Sequence, residues 1–213
     1  MRITVFGAAG DVGSRVVAEA LARGHEVVAV VRDPARAAAV PSGAELRTGD
    51  ASNPADVEML GAAADVMITA TRPASGREHE LPALTTVLLA GSARTGVRLL
   101  VVGGASTLTV PGTDGAMLHE IPDFPADLQP IAQACADQLA ICRADADADW
   151  TYVSPPAELV PGQRTGAYRL GADELLAGAE GISTISMEDF AVALLDEAER
   201  PAHSRTRFTV ASV

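Results

Sequence analysis

Short apolar, largely β-branched runs alternate along this chain with longer segments of helical period. The runs are RITVF (2–6), EVVAVV (26–31), AELRT (44–48), DVMITA (65–70), RLLVVGG (98–104) and WTYVS (150–154). Several are apolar at consecutive positions, as strands covered on both faces are. Between the first two runs lies DVGSRVVAEALARG, whose apolar residues at 12, 16, 17, 20 and 21 follow the helical repeat. Gly24 marks the end of that helix, and Asn53-Pro54 opens the next with a capping side chain followed by proline at the first helical position. Strands in alternation with helices predict an α/β fold, a doubly wound and mostly parallel sheet with helices on both faces.

Three stretches break the pattern. Residues 107–129 are rich in Gly, Pro and Asp and hold no period, SPPAELVPGQRTG (154–166) follows the sixth strand, and a shorter segment spans 72–80. They follow strands at their carboxyl ends, where open α/β sheets bind ligands, so they are expected to line a substrate pocket. Further on, GAYRL and RFTV read as late or edge strands, and Ser186-Met-Glu-Asp189 reads as a capping box that starts a last helix. With no internal repeat and no boundary signal, residues 1–213 are expected to form one domain.

Composition narrows the function classes. The net charge is −12, which argues against nucleic-acid or anionic-membrane binding, since both draw on basic patches. No run approaches the roughly 20 apolar residues of a membrane span, and a first strand beginning at residue 2 leaves no room for a signal peptide, so a cytoplasmic protein is expected. All 16 basic residues are arginine, which removes any mechanism built on a catalytic lysine. Cys135 and Cys142 lie on one expected helix, roughly 10 Å apart at about 1.5 Å per residue, too far for a disulfide, and are expected as buried apolar groups. The scattered His and Cys residues show no ligand spacing, so no metal is expected.

The sharpest motif is VFGAAGDVG (5–13). A glycine-rich turn between a strand and a helix presents backbone N–H groups at the positive end of the helix dipole, a cradle for a pyrophosphate. Gly7 permits the tight turn, Gly10 lets phosphates approach, and Gly13 lets helix pack on strand; Ala9, Asp11 and Val12 complete the turn. This is the Rossmann arrangement for a dinucleotide. The second strand ends in VVRDPAR, where an acidic residue would hold an adenosine ribose and arginine suits a 2′-phosphate. Arg32 and Arg36 therefore point to NADP, with NAD left open by Asp33.

At these residues the chain resembles the atypical short-chain dehydrogenases of the NmrA-like, NAD(P)H-binding kind, which include small flavin reductases and biliverdin-IXβ reductase. The resemblance runs nearly full length, through VFGAAGDVG, VVRDPAR, GDASNPADV (49–57), TATR (69–72), VVGGAS (101–106), DWTYVSPP (149–156) and the ISMEDFA block. It implies that Asp50 accepts from the adenine amino group with Ala51 offering its backbone. Ala70, Thr71 and Arg72 would lie along the cofactor, and Pro155 and Pro156 near the nicotinamide.

Many short-chain dehydrogenases work through a Tyr–Lys pair. Here there is no lysine, and the tyrosines, Tyr152 and Tyr168, fall after the helix that would carry such a pair. Hydride transfer to a flavin or quinone asks less of the protein: ring orientation and exclusion of water. By the resemblance, Ser106 would position that acceptor. His79, His119 and Glu120 read as surface loop residues. The expected function is an NADPH-dependent reductase of a conjugated small-molecule acceptor; a non-catalytic NAD(P)-binding redox sensor is the alternative, and an epimerase or dehydratase a weaker third. The sequence is silent on oligomeric state.

Overall fold

The computed structural model describes residues 1–178 and 181–213. Its elements in chain order are β1 (Arg2–Phe6), α1 (Asp11–Ala22), β2 (Glu26–Val31), β3 (Glu45–Thr48), α2 (Pro54–Gly61), β4 (Val66–Thr69), α3 (Leu81–Thr95), β5 (Arg98–Val102), α4 (Gln129–Ala144), β6 (Trp150–Ser154), β7 (Glu158–Val160), β8 (Tyr168–Gly171), β9 (Thr184–Ser186), α5 (Met187–Glu199) and β10 (Thr206–Ser212). Eight strands form one sheet in the order β3-β2-β1-β4-β5-β6-β10-β8, parallel throughout except for the last pair, and β7 pairs with β9 separately. The order reverses between β1 and β4, which opens a crevice at the carboxyl ends of these strands. This is the doubly wound Rossmann sheet.

Strand residues divide between two cores by their alternation. Ile3, Val5, Val27 and Ala29 pack against α1 and α5, through Val16, Val17, Phe190 and Leu194. Phe6, Val28, Val30, Leu99 and Val101 point to the other face, against Val57, Leu88, Leu89 and Leu139 of α2, α3 and α4. Both layers thereby bury nearly continuous apolar strands, which is what stabilises an all-parallel sheet. Among the described residues, no helix is long and apolar enough to cross a membrane.

The expected caps form. Gly24 (φ 81°) donates from its N–H to Leu21 and stops α1, and Asn53 accepts from the Ala55 N–H ahead of α2. Two expectations need correction. Ser186 caps α5 by accepting from the Asp189 N–H, but Asp189 does not reach back to close a box. Its carboxylate instead accepts from Thr165 N–H, Thr165 Oγ1 and Gly166 N–H, because that loop lies within reach and supplies three donors. Nor is 154–166 irregular throughout, since β7 lies inside it. The reading of RFTV and GAYRL as late or edge strands holds: RFTV lies in β10, the last strand, between β6 and β8, and GAYRL supplies the edge strand β8.

Candidate active site

A cleft of about 670 Å³ runs along the carboxyl ends of the central strands. Nearly every expected site residue meets there. Gly7, Ala9, Gly10, Asp11 and Val12 form one wall, Arg32, Arg36, Asp50 and Ala51 one end, and Ala70, Thr71, Arg72, Ser106 and Pro155 the remaining side. Gly13 does not line the cleft; it lies behind it, in the first turn of α1.

The glycine turn is shaped by contact rather than by flexibility. Gly7 has φ of 79°, and a Cβ there would sit 2.6 Å from the Ala70 carbonyl oxygen. A Cβ on Gly13 would overlap the Gly7 carbonyl. Only hydrogen at both positions lets α1 start directly above the turn, with Gly10 N–H bonded to Gly7 O at 3.0 Å and Ser14 N–H to Gly10 O at 2.9 Å. No side chain caps α1 at Gly10, so the helix N-terminus is left open toward the cleft. That concavity, with donors and a dipole but no side chain filling it, fits a pyrophosphate.

At the β2 end, Asp33 lines the cleft with Arg32 and caps the following 3₁₀ turn through Ala35 N–H at 2.9 Å. Arg32 is exposed, lines the cleft and makes no salt bridge among the described residues, although the Asp50 carboxylate in the same lining feels its charge. Arg36 donates from Nη2 to the Ala9 carbonyl at 2.8 Å, closing the gap between this turn and the glycine loop. Burial raises the pKa of Asp50, but donation from the Ser52 hydroxyl and N–H, with the charges of Arg32 and Arg77, outweighs it and leaves the carboxyl below its ordinary range. Both Ser52 bonds fall on one oxygen, Oδ1, so Oδ2 remains for a ligand.

The other half of the cleft is mostly apolar, with Arg72, Glu80, Ser106 and Gln138 as its polar members. Leu81 and Leu84 of α3, Phe124 and Leu128 of the 107–129 segment, and Ile131 and Cys135 of α4 wall it. Ser106, 6% exposed, gives its hydroxyl proton to the Ala132 carbonyl at 3.0 Å, so lone pairs are what it can offer a ligand. The expectation that both long loops build this pocket holds for 107–129 and only partly for 154–166. From the latter, Pro155, Pro156, Ala157 and Leu159 reach the cleft. The rest is pinned to the far side: Arg164 pairs with Glu19 of α1, and Gly162 N–H bonds Glu188 of α5.

Neither tyrosine lines the cleft. Tyr152 is fully buried, accepts from Gly104 N–H at 3.1 Å and donates to the Cys135 carbonyl at 3.2 Å; burial drives its pKa well above the usual value. Tyr168 donates to Asp196 at 2.6 Å on the α5 face. Both cysteines are free thiols, and burial pushes Cys135 up to about 11 and Cys142 to about 12, so they stay protonated. His119 is fixed by Nδ1 to the Ser106 carbonyl at 2.7 Å and, like His79, lies outside the cleft lining. The residues missed in sequence are the apolar ones on α3 and α4; the spacing of 131, 135 and 138 on one helix face was a usable signal.

The fold and cleft define an NAD(P)H-binding Rossmann protein. An NAD(P)H-binding family model matches residues 7–198, and the chain belongs to that family. It is 35% identical to the uncharacterized protein YwnB of Bacillus subtilis, over all of this chain and 99% of the relative. A solved structure from Streptococcus pneumoniae TIGR4, described as a candidate NADH-flavin reductase, is 33% identical with a TM-score of 0.87 over the whole of both chains. A candidate epimerase from Bacteroides thetaiotaomicron is 35% identical with a TM-score of 0.90, over 100% of this chain and 97% of the other.

Proposed function

We infer that this protein is an NADPH-dependent oxidoreductase that delivers hydride to a flat, conjugated acceptor such as a flavin or a quinone, without a Tyr–Lys pair. One observation carries the reading: a single cleft joins a glycine cradle flanked by arginines to a largely apolar chamber that no tyrosine or histidine lines. The nicotinamide, when bound, supplies the hydride.

The chain's own residues do the rest. The amides of the 7–13 turn hold the diphosphate, Arg32 and Arg36 read the 2′-phosphate, and Asp50 Oδ2 with the Ala51 backbone meets the adenine. Ala70, Thr71, Arg72 and Pro155 border the path toward the nicotinamide. Leu81, Leu84, Phe124 and Ile131 exclude water and sandwich the acceptor, and Ser106 offers a lone pair to an acceptor that carries an N–H, as a flavin does. Holding two rings in register is itself the larger part of such a reaction; the reduced acceptor takes its proton from water as it leaves the chamber.

The test is loss of NADPH absorbance with FMN, riboflavin and a set of quinones. Turnover with at least one supports the reading. Tight NADPH binding with no turnover on any of them overturns it in favour of a redox sensor, a reading that the committed proton of Ser106 also fits.

A further inference from the structure

Helix α4 presents Ile131, Cys135 and Gln138 to the cleft at spacings of four and three, one face of the helix. Gln138 is 2% exposed, the most deeply set polar group of that wall. Its amide orientation follows from its neighbours. Thr85 Oγ1 on α3 donates its proton to the Leu81 carbonyl at 2.8 Å. The Thr85 oxygen can then only accept, and Gln138 Nε2 donates to it at 3.2 Å. The carbonyl oxygen Oε1 is buried and left with no hydrogen-bond partner among the described residues. Buried polar atoms are almost always paired, and an orphaned one in a ligand cleft points to a missing donor.

Leu81, Leu84, Ile131 and Cys135 share this wall, and none of them is a strong donor; Arg72 also lines the cleft, near Cys135, but makes no hydrogen bond to Gln138. We propose that Gln138 determines acceptor specificity: its Oε1 accepts a hydrogen bond from a ring N–H of the acceptor. The favoured substrates are then cyclic imides and lactams, in which N–H stands beside C=O and matches the glutamine's own amide edge, over rings that carry carbonyls alone. The proposal rests on the reductase reading for what enters the cleft, but the hydrogen bond is an equilibrium property that needs no turnover.

The test compares lumiflavin with its N3-methyl derivative, which keeps the ring and loses the N–H, by quenching of flavin fluorescence. Wild type should bind lumiflavin about tenfold more tightly, the worth of one well-made hydrogen bond. Gln138→Met, close in volume, should weaken lumiflavin to the level of the methylated ring while leaving the methylated ring and NADPH within about twofold. Equal affinity of wild type for the two flavins overturns the proposal, as does equal loss of both in Gln138→Met, no binding of lumiflavin, or a difference that survives the substitution and so reflects only the bulk of the methyl. If Gln138→Met fails to fold, a variant with Thr85→Val, which frees the amide to rotate, should narrow the same discrimination, and an unchanged ratio counts against the proposal. Discrimination without NADPH oxidation upholds Gln138 and refutes the reductase; oxidation without discrimination does the reverse.

Discussion

Arg36 Nη2 lies 2.8 Å from the carbonyl oxygen of Ala9, so the turn after β2 is tied to the middle of the glycine loop. Arg36 and Arg32 both line the cleft, Arg36 anchored to the loop and Arg32 in no salt bridge among the described residues. In the proposed function these are the two groups that read a 2′-phosphate.

Arg32→Ala should therefore weaken NADPH far more than NADH. A charge-assisted hydrogen bond contributes about 1.5–3 kcal/mol, so a loss of roughly ten- to hundredfold in NADPH affinity is expected, with NADH changed less than about twofold. Arg36→Ala should weaken both cofactors, since it also releases the loop at Ala9. Isothermal calorimetry on the two variants checks this, and equal losses for both cofactors in Arg32→Ala would remove the phosphate-reading role.

Gly13→Ala places a methyl against the Gly7 carbonyl. Overpacking of this kind costs about 1–3 kcal/mol, and here it also lifts α1 away from the turn whose amides it serves. The expected result is a lower melting temperature together with loss of saturable NADPH binding. Full affinity in the alanine variant would show that the close approach of α1 to the turn is dispensable.

Tyr152 should behave as a structural residue. Tyr152→Phe leaves the Gly104 N–H and the Cys135 carbonyl without their shared partner, at a cost of about 1–3 kcal/mol, which for a chain of this size is a fall of several degrees in Tm. The alkaline limb of any activity profile should stay where it is. A shift of that limb would mean the phenol acts in the reaction.

Acid should destabilise the protein through Glu19 and Glu197. Arg164, despite the burial that opposes it, and Arg23 lower the pKa of Glu19; for Glu197 the larger burial penalty is overcome by His203, the backbone N–H groups of Ala202 and His203, and Arg98. A carboxyl whose folded pKa is depressed adds stability above its ordinary value of 4.5, and that stability is lost as pH falls through the lower folded value. Denaturant midpoints should thus be steady above about 4.5 and drop below it. Glu197→Gln should lower the neutral plateau and flatten the acid limb, because buried Arg98 then keeps only the more distant, half-exposed Asp149 carboxylate at 3.8 Å.

Much of this was legible in sequence, and for identifiable reasons. Gly7, Gly10 and Gly13 announce themselves because glycine is needed where backbone meets backbone, and Arg32 because a strand end fixes its place. The strand and helix order followed from periods that the two cores enforce. What stayed hidden depends on contacts between distant segments. Asp189 reads as a capping residue until Thr165 is known to lie beside it, and 154–166 reads as pocket wall until Arg164 is seen against Glu19. Nothing local to Gln138 shows that Thr85 fixes its amide, since the two are brought together by the packing of α3 on α4.

The most direct test is calorimetric titration of the purified protein with NADPH and with NADH. The account predicts one saturable site for NADPH, at least about tenfold tighter than for NADH, the difference one charged phosphate contact provides. No binding of either at millimolar concentration would contradict it.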